Sequence, residues 1–282
     1  SMKAIRLLTL LGSFVWMVSC SNDNDELFPN PQGGEQITFA MNFAGEEDNA
    51  PKTKVATTYN FISTWQNGDK IGVYIVKGNG GLLASGNYAD NVQFTYNNGA
   101  WITITPQYYP NDGDNLSFYA YYPYDAGMTN PNAYIFNVPI DQASNDGEYY
   151  KKNDFLWAKL ENVSKNDNAL VLLFSHALAM IELAIADNVN TPPTANLLEA
   201  VTDCTINLAN QSIIPGSTKN TIQMWRRYTS GYYTFFRWAL VPPQTMDIRF
   251  VWTKNSTNYT VTPATNVALT SGNIKKYSTT QP

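Results

Sequence analysis

The sequence contains very little of the residue types that most catalytic and metal-binding sites use. Its 282 residues include one histidine, His176, and two cysteines, Cys20 and Cys204. A serine–histidine–aspartate triad would have to use His176, yet no Gly-x-Ser-x-Gly turn is present, and the alternating apolar run around this residue is typical of a structural histidine. Zinc sites built from histidine and cysteine clusters need more ligands than the chain has. The sequence therefore predicts no enzyme, no metal and no cofactor.

Charge is scarce as well, and this excludes one large class of partner. Charged residues make up 15% of the chain, against about 25% in an average soluble protein. The formal net charge is −5, and no run of lysine or arginine is longer than two residues. Nucleic-acid binding needs clustered cations that displace phosphate counterions, so the sequence predicts no nucleic-acid partner.

The residues that are abundant favour β-structure. Hydrophobic residues make up 44% and aromatic residues 13% of the chain, which also has 32 asparagines and 27 threonines. Threonine and aromatic residues favour strands, and asparagine favours the turns between them. Short alternating runs bounded by turns indicate an all-β chain with two β-sandwich domains in series, residues 36–163 and 164–282. Residues 169–186 are predicted to form one long strand, although their alanine and leucine content would also suit a helix.

Aromatic residues also occur as adjacent pairs. Neighbouring side chains of a strand point to opposite faces, so one ring of each pair is predicted to lie in the core. The other rings are either packed on the sheet or exposed as platforms for sugars, and packing is the favoured interpretation. The pairs are Tyr108-Tyr109, Tyr121-Tyr122, Tyr149-Tyr150 and Tyr232-Tyr233.

The N-terminus has the pattern of a secretory signal. Two basic residues precede an apolar run, residues 7–18, whose twelve residues are fewer than the about 20 that a membrane-spanning helix needs. The run ends in Met17-Val18-Ser19-Cys20, which resembles a bacterial lipobox. Residues 1–19 are therefore predicted to be a lipoprotein signal peptide, and Cys20 the site of lipidation by palmitate. A plain cleaved signal peptide is the alternative interpretation.

The next segment is predicted to be a flexible tether. Residues 20–35 are polar, acidic and rich in proline and glycine, and they offer too little apolar area to fold. The acidic residues directly after Cys20 resemble the signal that sends lipoproteins to the outer face of the outer membrane in one phylum of Gram-negative anaerobes. The predicted location is therefore the surface of the cell outer membrane.

A series of short motifs resembles one known family. Residues 65–74, Trp-Gln-Asn-Gly-Asp-Lys-Ile-Gly-Val-Tyr, are similar to the Trp-x-x-Gly-Asp-x-Ile-Gly-Val-Tyr signature of fimbrillin-like surface lipoproteins, the subunits of type V pili. Later segments follow in the order expected of that family, and the resemblance covers residues 37–277. These segments are Phe118-Tyr119-Ala120-Tyr121-Tyr122-Pro123, Ile140-Asp141-Gln142, Leu172-Leu173-Phe174-Ser175-His176-Ala177-Leu178-Ala179, Leu240-Val241-Pro242-Pro243-Gln244 and Ser271-Gly272-Asn273-Ile274-Lys275-Lys276-Tyr277.

This resemblance implies two transthyretin-like β-sandwich domains and a structural, adhesive subunit of a cell-surface fimbrium. It implies assembly by donor-strand exchange, in which a trypsin-like protease removes the N-terminal strand and the exposed groove accepts a strand from another subunit. The alternating residues Ile37, Phe39, Met41 and Phe43 match the removable strand.

The chain departs from the family pattern at two places. The polar loop after the predicted strand offers Lys52 and Lys54 as processing sites, where family members usually have arginine. Residues 278–282 lack alternating apolar anchors, which makes the chain a poor strand donor and leaves a tip or an anchor position open.

One other function, glycan binding, would share several of these sequence features. A surface glycan-binding lipoprotein of a polysaccharide-uptake system would have the same lipobox, tether and sandwich domains, whereas no motif supports hydrolysis by paired carboxylates. The predicted partners are other pilus subunits by strand exchange, outer-membrane lipid through acylated Cys20, and a host or bacterial surface glycan or protein.

Trp65 and Ile71, which flank the turn at Asn67-Gly68-Asp69, are predicted to be buried, as is Cys204.

Overall fold

Strands make up most of the protein. A computed structural model describes residues 34–44, 64–165, 168–186, 192–227 and 234–280. These residues form strands with one helix among them, so the all-β prediction is confirmed. In chain order the elements are β1 (Phe39–Phe43), β2 (Lys70–Lys77), β3 (Ala89–Asn97), β4 (Ala100–Ile102), β5 (Leu116–Tyr122), β6 (Tyr134–Asn137), α1 (Ser144–Lys152), β7 (Leu156–Val163), β8 (Leu170–His176), β9 (Ala179–Ala186), β10 (Thr194–Val201), β11 (Asp203–Asn207), β12 (Ser212–Pro215), β13 (Lys219–Gln223), β14 (Trp225–Arg227), β15 (Thr234–Val241), β16 (Thr245–Lys254), β17 (Thr257–Ala268) and β18 (Ile274–Thr280).

The largest sheet has seven strands in the order β1-β8-β7-β5-β2-β3-β4. Its strands pair antiparallel except at one edge, where β1 runs parallel to β8. The turn between β3 and β4 lies at Asn97-Asn98-Gly99, where Asn98 and Gly99 have positive φ angles of 49° and 90°. Asparagine and glycine adopt this left-handed conformation at little cost, which explains why the chain reverses there.

The central strands of this sheet are buried on both faces. On β2, Ile71, Val73 and Ile75 join one apolar core, whereas Tyr74 and Val76 join the other. β5 alternates in the same way, with Leu116, Phe118 and Ala120 in the first core and Tyr119 and Tyr121 in the second. Because successive side chains of a strand point to opposite faces, a strand with two buried faces is apolar at nearly every position. The first core is called the N-terminal core below, and the second the C-terminal core.

Three smaller sheets surround the C-terminal core. Two of them have four strands, in the orders β13-β10-β16-β17 and β14-β15-β9-β18, and one has three, in the order β12-β11-β6. Cys204, on β11, is 3% exposed, and burial raises the pKa of its thiol to about 12. The thiol is therefore protonated and packed like a small apolar side chain, as predicted.

The segment predicted as one long strand forms two strands that serve different sheets. β8 belongs to the seven-stranded sheet, and β9 pairs with β15 and β18 in another. The chain leaves the first ladder at Ala177 and Leu178, which are fully buried. The N–H of Ala177 donates to the carbonyl of Phe155, and the carbonyl of Leu178 accepts from Gly272. Tertiary hydrogen bonds thus divide a run that is locally continuous.

The prediction that each adjacent tyrosine pair lies on a strand is wrong for Tyr149-Tyr150. Tyr149 and Tyr150 lie on this helix, with Tyr149 exposed and Tyr150 buried. The Asp141 carboxylate accepts hydrogen bonds from the backbone N–H groups of Ala143 and Ser144, which helps to start the helix. Tyr232-Tyr233 lies outside the described residues. Tyr121 and Tyr122 do face opposite cores, and both are packed.

Strands from both sides of the predicted domain boundary share sheets. β8 lies after residue 163 and pairs with β1 and β7, which lie before that residue. β6 also lies before residue 163, and it pairs with β11, which lies after it. The described residues belong to one compact unit, Gln32–Pro282. The division into two transthyretin-like domains at residue 163 stays a prediction. Within the described ranges, the protein has no helix that is both long and apolar enough to cross a membrane.

Candidate assembly site at the N-terminal strand

The N-terminal strand lies at the edge of the seven-stranded sheet. β1 runs parallel to β8 in unbroken register from the pair Phe39 and Leu170 to the pair Phe43 and Phe174. The N–H of Leu170 donates to the carbonyl of Thr38 over 2.8 Å. Among the described strands, β8 is the one ladder neighbour that β1 has. An edge strand has a row of backbone N–H and C=O groups that no second strand of its sheet pairs with.

The residues just before β1 pair with a different segment. The N–H of Ile37 donates to the carbonyl of Gln107 over 2.8 Å, and the N–H of Tyr109 donates to the carbonyl of Glu35 over 2.9 Å. This pairing is antiparallel and contains the bridge between Gln36 and Tyr108. Residues 35–43 therefore contact two neighbours in succession, the 107–109 segment and then β8.

The side chains of this segment anchor it in the N-terminal core. Ile37, Met41 and Phe43 are 3%, 5% and 9% exposed, whereas Phe39 is half-buried and Asn42 is exposed. The Phe39 ring meets Phe94 and Phe118 edge-on, with ring centroids 5.2 and 5.4 Å apart. The alternation that predicted a strand with one buried face is therefore matched by the packing.

Trp65 holds the outer side of β1. Its indole N–H donates to the carbonyl of Met41 over 3.0 Å, and the Phe43 ring stacks on its ring at 4.7 Å. Trp65 is half-buried against the N-terminal core, so the prediction of a buried tryptophan holds in part, whereas Ile71 is fully buried. The sequence indicated Trp65 as a motif residue and did not reveal its bond to the N-terminal strand.

The local sequence explains why Trp65 lies there. The turn that follows it is closed by the Asp69 carboxylate, which accepts from the N–H of Gln66 over 2.7 Å. Gly68 has a φ of 94°, a conformation that a side chain would disfavour. This turn leads directly into β2, whose N-terminal half lines the same core, so the motif positions the indole beside β1.

The structure describes some of the predicted site residues and not others. Ile37, Phe39, Met41 and Phe43 lie together on one segment, as expected from their spacing. Cys20, Lys52 and Lys54 lie outside the described residues. Lipidation, removal of the strand and the processing sites therefore stay predictions. The parallel partner β8 was not predicted, because the identity of a distant ladder partner leaves no local signal.

The strand near the other end of the chain is also at a sheet edge. β18 runs parallel to β9, in register from Ile274 opposite Met180 to Thr280 opposite Ala186. Its side chains are anchored less deeply than those of β1, since Ile274 and Tyr277 are only half-buried against the C-terminal core. β18 is thus occupied in a ladder of its own chain.

The single histidine contacts a carboxylate in a largely buried environment. The Nδ1 atom of His176 lies 2.9 Å from the Asp154 carboxylate, and both side chains are almost fully buried. Within the described ranges, no three or more histidine, cysteine, aspartate or glutamate side chains cluster in a way that could hold a metal ion. The structure thus gives His176 a structural partner in a packed environment, which agrees with its interpretation as a structural residue.

The protein has an all-β fold whose N-terminal strand lies at the edge of the largest sheet. Comparison with known families gives its class. The family model described as fimbrillin-like matches residues 53–281. The chain therefore belongs to the fimbrillin-like family, which confirms the resemblance found in the sequence motifs.

Two named relatives come from Bacteroides. The chain is 26% identical over 212 residues to a candidate fimbrium subunit, Fim1C, of Bacteroides uniformis, a match that covers 74% of this chain and 63% of the relative. It is 29% identical over 188 residues to a candidate fimbrium tip subunit, also Fim1C, of Bacteroides ovatus, covering 63% of this chain and 33% of the relative. The matched part of the chain thus spans less than two thirds of either relative.

Solved structures agree with the fold. A candidate cell adhesion protein from Bacteroides uniformis superimposes with a TM-score of 0.64 at 19% identity, over 90% of this chain and 94% of that one. A similar protein from Bacteroides ovatus gives a TM-score of 0.61 at 17% identity, over 89% and 93% of the two chains. At these identities the likeness concerns the fold alone.

Proposed function

We propose that this protein is a structural, adhesive subunit of a cell-surface fimbrium that assembles by donor-strand exchange after its N-terminal strand is removed. The observation that carries the proposal is the position of β1, an edge strand whose apolar side chains fill the N-terminal core. Membership of the fimbrillin-like family and the names of the two relatives support the same function.

The energetics of β1 explain why its removal would drive assembly. Full burial of one large apolar side chain contributes about 1.5–3 kcal/mol, so Ile37, Met41 and Phe43 together contribute about 5–9 kcal/mol. A typical domain is stable by about 5–15 kcal/mol in total. A chain without this strand therefore loses a large part of its stability, and it regains that part by binding another strand with alternating apolar residues.

The geometry defines what a donor strand must look like. To replace residues 35–43, a donor needs nine residues that pair antiparallel with the 107–109 segment and then parallel with β8. Its first apolar anchor replaces Ile37, and the following ones replace Met41 and Phe43. β-Augmentation of this kind takes affinity from backbone hydrogen bonds and specificity from side-chain pockets.

We also propose a tip or anchor position and a location at the surface of the outer membrane. The full pairing of β18 with β9 supports a subunit that accepts a strand but does not donate this one. Anchoring would depend on Cys20, so Cys20→Ala should release the protein from the membrane fraction. Cys204→Ala is the matched control, and it should leave the protein in that fraction.

Peptide capture tests strand exchange directly. Low-dose trypsin is expected to cut after Lys52 or Lys54, which N-terminal sequencing of the fragments identifies. The nicked protein should then capture a fluorescent peptide with the sequence of residues 35–43, measured by anisotropy, and the intact protein should not. The same peptide with asparagine at the positions of Ile37, Met41 and Phe43 is the control, and it should not bind.

A chain with Lys52→Gln and Lys54→Gln provides the second control. It should resist the first cut and fail to capture the peptide under the same conditions. Equal capture by intact and nicked protein, or no capture by nicked protein, would contradict assembly through this strand.

A further inference from the structure

A cavity of about 300 Å³ lies beside the C-terminal end of β1. Residues of the seven-stranded sheet, of helix α1 and of strands β14 and β15 line it. Its volume is at the lower end of the range of about 300–1,000 Å³ that is typical of small-molecule sites. The aromatic side chains in its wall are Phe43, Trp65, Tyr122, Tyr150, Trp225 and Trp238.

These aromatic rings form two packed walls. On one side, Tyr150 and Trp225 have ring centroids 4.9 Å apart, and Trp225 meets Trp238 edge-on at 5.8 Å. On the other side, Trp65 and Tyr122 are 5.7 Å apart. Trp65 and Trp225 are only half-buried, but Phe43 stacks on the Trp65 ring and the Lys151 ammonium lies over the Trp225 ring at 5.4 Å. The apolar surface that is in place for a ligand is therefore the part of these two rings that Phe43 and Lys151 leave uncovered. Rigid aromatic surface costs little entropy on binding.

A glycine makes this arrangement possible. A Cβ atom at Gly147 would lie 2.3 Å from the indole nitrogen of Trp225, so only glycine lets helix α1 approach the ring this closely. The φ of Gly147 is 77°, which also favours glycine over other residues. The helix thereby brings Glu148, Lys151 and Lys152 to the cavity.

The charges around the cavity balance. Its wall contains three carboxylates and three cations, namely Asp69, Glu148, Asp154, Lys151, Lys152 and Arg227. Most of them already have partners within the protein. Glu148 pairs with Lys152 at 3.2 Å, Asp154 pairs with His176, and the Arg227 guanidinium lies over the Trp238 ring at 4.2 Å. A wall of this kind gives no net attraction to a strongly charged ligand and presents both donors and acceptors to a neutral one.

Asp69 lines the cavity, and one of its carboxylate oxygens can accept a further hydrogen bond. Its Oδ2 atom accepts from the N–H of Gln66 at 2.7 Å, and its Oδ1 atom lies 3.5 Å from the Tyr122 hydroxyl. The second contact is at the upper limit for a hydrogen bond, so Oδ1 can accept another. Partial burial raises the pKa of this carboxyl, which agrees with a site that solvent screens only in part.

We propose that this cavity binds a neutral saccharide, with the apolar face of a sugar ring against Trp65 and Trp225 and a sugar hydroxyl donating to Asp69. Hydroxyl groups both donate and accept hydrogen bonds, so they suit a wall that contains both carboxylates and cations. The inference deepens the adhesive part of the proposed function and rests on it, whereas strand exchange at β1 does not require a ligand in this cavity.

A glycan array and a titration test the proposal. The full chain is applied to neutral hexose and N-acetylhexosamine oligosaccharides, with sialylated and sulfated oligosaccharides on the same array. Each bound neutral sugar is then titrated in solution while tryptophan fluorescence is recorded, with choline as a cationic probe of the same aromatic walls. Binding of at least one neutral oligosaccharide, in preference to the charged probes, is expected.

Matched variants locate the site. Asp69→Asn keeps the shape of the side chain and removes its charge, and it should weaken binding about tenfold, the effect of losing one hydrogen bond to a charged group. Trp225→Leu should weaken binding by a similar factor. Glu199→Gln removes an exposed carboxylate outside the cavity, and Tyr149→Ala removes an exposed ring of the same helix. Both controls should bind within about twofold of the unchanged chain.

Three results would overturn the proposal. The first is that no neutral oligosaccharide changes the fluorescence, and the second is that choline or a sulfated sugar binds more tightly than any neutral one. The third is that Asp69→Asn binds like the unchanged chain although its thermal unfolding shows an intact fold.

Discussion

The two edge strands β1 and β18 have the same backbone arrangement and different anchoring. Each runs parallel to its neighbour, and the two neighbours, β8 and β9, are consecutive parts of one chain segment. β1 contributes side chains that are almost fully buried in the N-terminal core, whereas β18 only covers the C-terminal core with half-buried residues. Similar ladders therefore do not imply similar stability. The depth to which its side chains are buried decides how much each strand contributes to the stability of the fold.

The largest expected effect concerns the buried anchor of β1. Met41→Ala should lower the free energy of unfolding by about 2–5 kcal/mol, because it removes a buried side chain and leaves a cavity. The measurement is urea denaturation followed by circular dichroism. Asn42→Ala, at the neighbouring exposed position, is the control and should change stability by less than about 0.5 kcal/mol. Equal effects of the two changes would show that the buried Met41 side chain does not anchor β1.

The corresponding change in β18 should be milder. Tyr277 is half-buried, and its ring lies 6.0 Å from Phe250 of the C-terminal core. Tyr277→Ala should cost about 1–2 kcal/mol, below the about 3–5 kcal/mol of a fully buried aromatic residue. Lys275→Ala, at an exposed position of the same strand, serves as control in the same denaturation experiment. A larger loss for Tyr277→Ala than for Met41→Ala would reverse the comparison.

A smaller effect is expected where β1 depends on one side-chain hydrogen bond. Trp65→Phe keeps an aromatic ring beside Phe43 and removes the N–H that donates to the Met41 carbonyl. The loss should be about 1 kcal/mol, the usual contribution of one such bond. Hydrogen exchange of the β1 amides should accelerate correspondingly. Trp101→Phe, at a ring that packs edge-on against Trp65, controls for the smaller ring size. If both variants exchange alike, the indole bond does not hold the strand.

The last test changes neither strand and reports on the core that β18 covers. Burial raises the pKa of the Cys204 thiol from 9.0 to about 12, so at pH 8 its thiolate population falls about a thousandfold on folding. A chain with Cys20→Ser should therefore react with a disulfide reagent very slowly when native and rapidly in urea. Fast labelling of the native chain would show that the C-terminal core opens readily around Cys204.

Much of the candidate site could be predicted from local pattern. The alternation of Ile37, Phe39, Met41 and Phe43 predicts a strand with one buried face, and the packing agrees. The motif around Trp65 led to the family that the comparison confirms. Alternation is a local property, since the direction of each side chain follows from the backbone of its own strand.

Helix α1 and the division of residues 170–186 into two strands could not be predicted in this way. Tyr149 and Tyr150 suit a strand by composition, and the packing of Tyr150 against Trp225 and Trp238 stabilises the helix instead. The buried pair Ala177 and Leu178 follows the same alternating run as β8, and only their bonds to Phe155 and Gly272 end that strand. In both places tertiary contacts outweigh local preference.

The sequence by itself determined that the chain is β-rich, which of its segments alternate, and to which family it belongs. Only the tertiary structure decided that β1 runs parallel to β8, that one chain segment pairs with both edge strands, and that distant aromatic and charged residues meet around a cavity. The physical reason is distance along the chain. Alternation depends on neighbouring residues, whereas the partner and direction of a strand depend on residues more than a hundred positions away, such as Phe39 and Leu170.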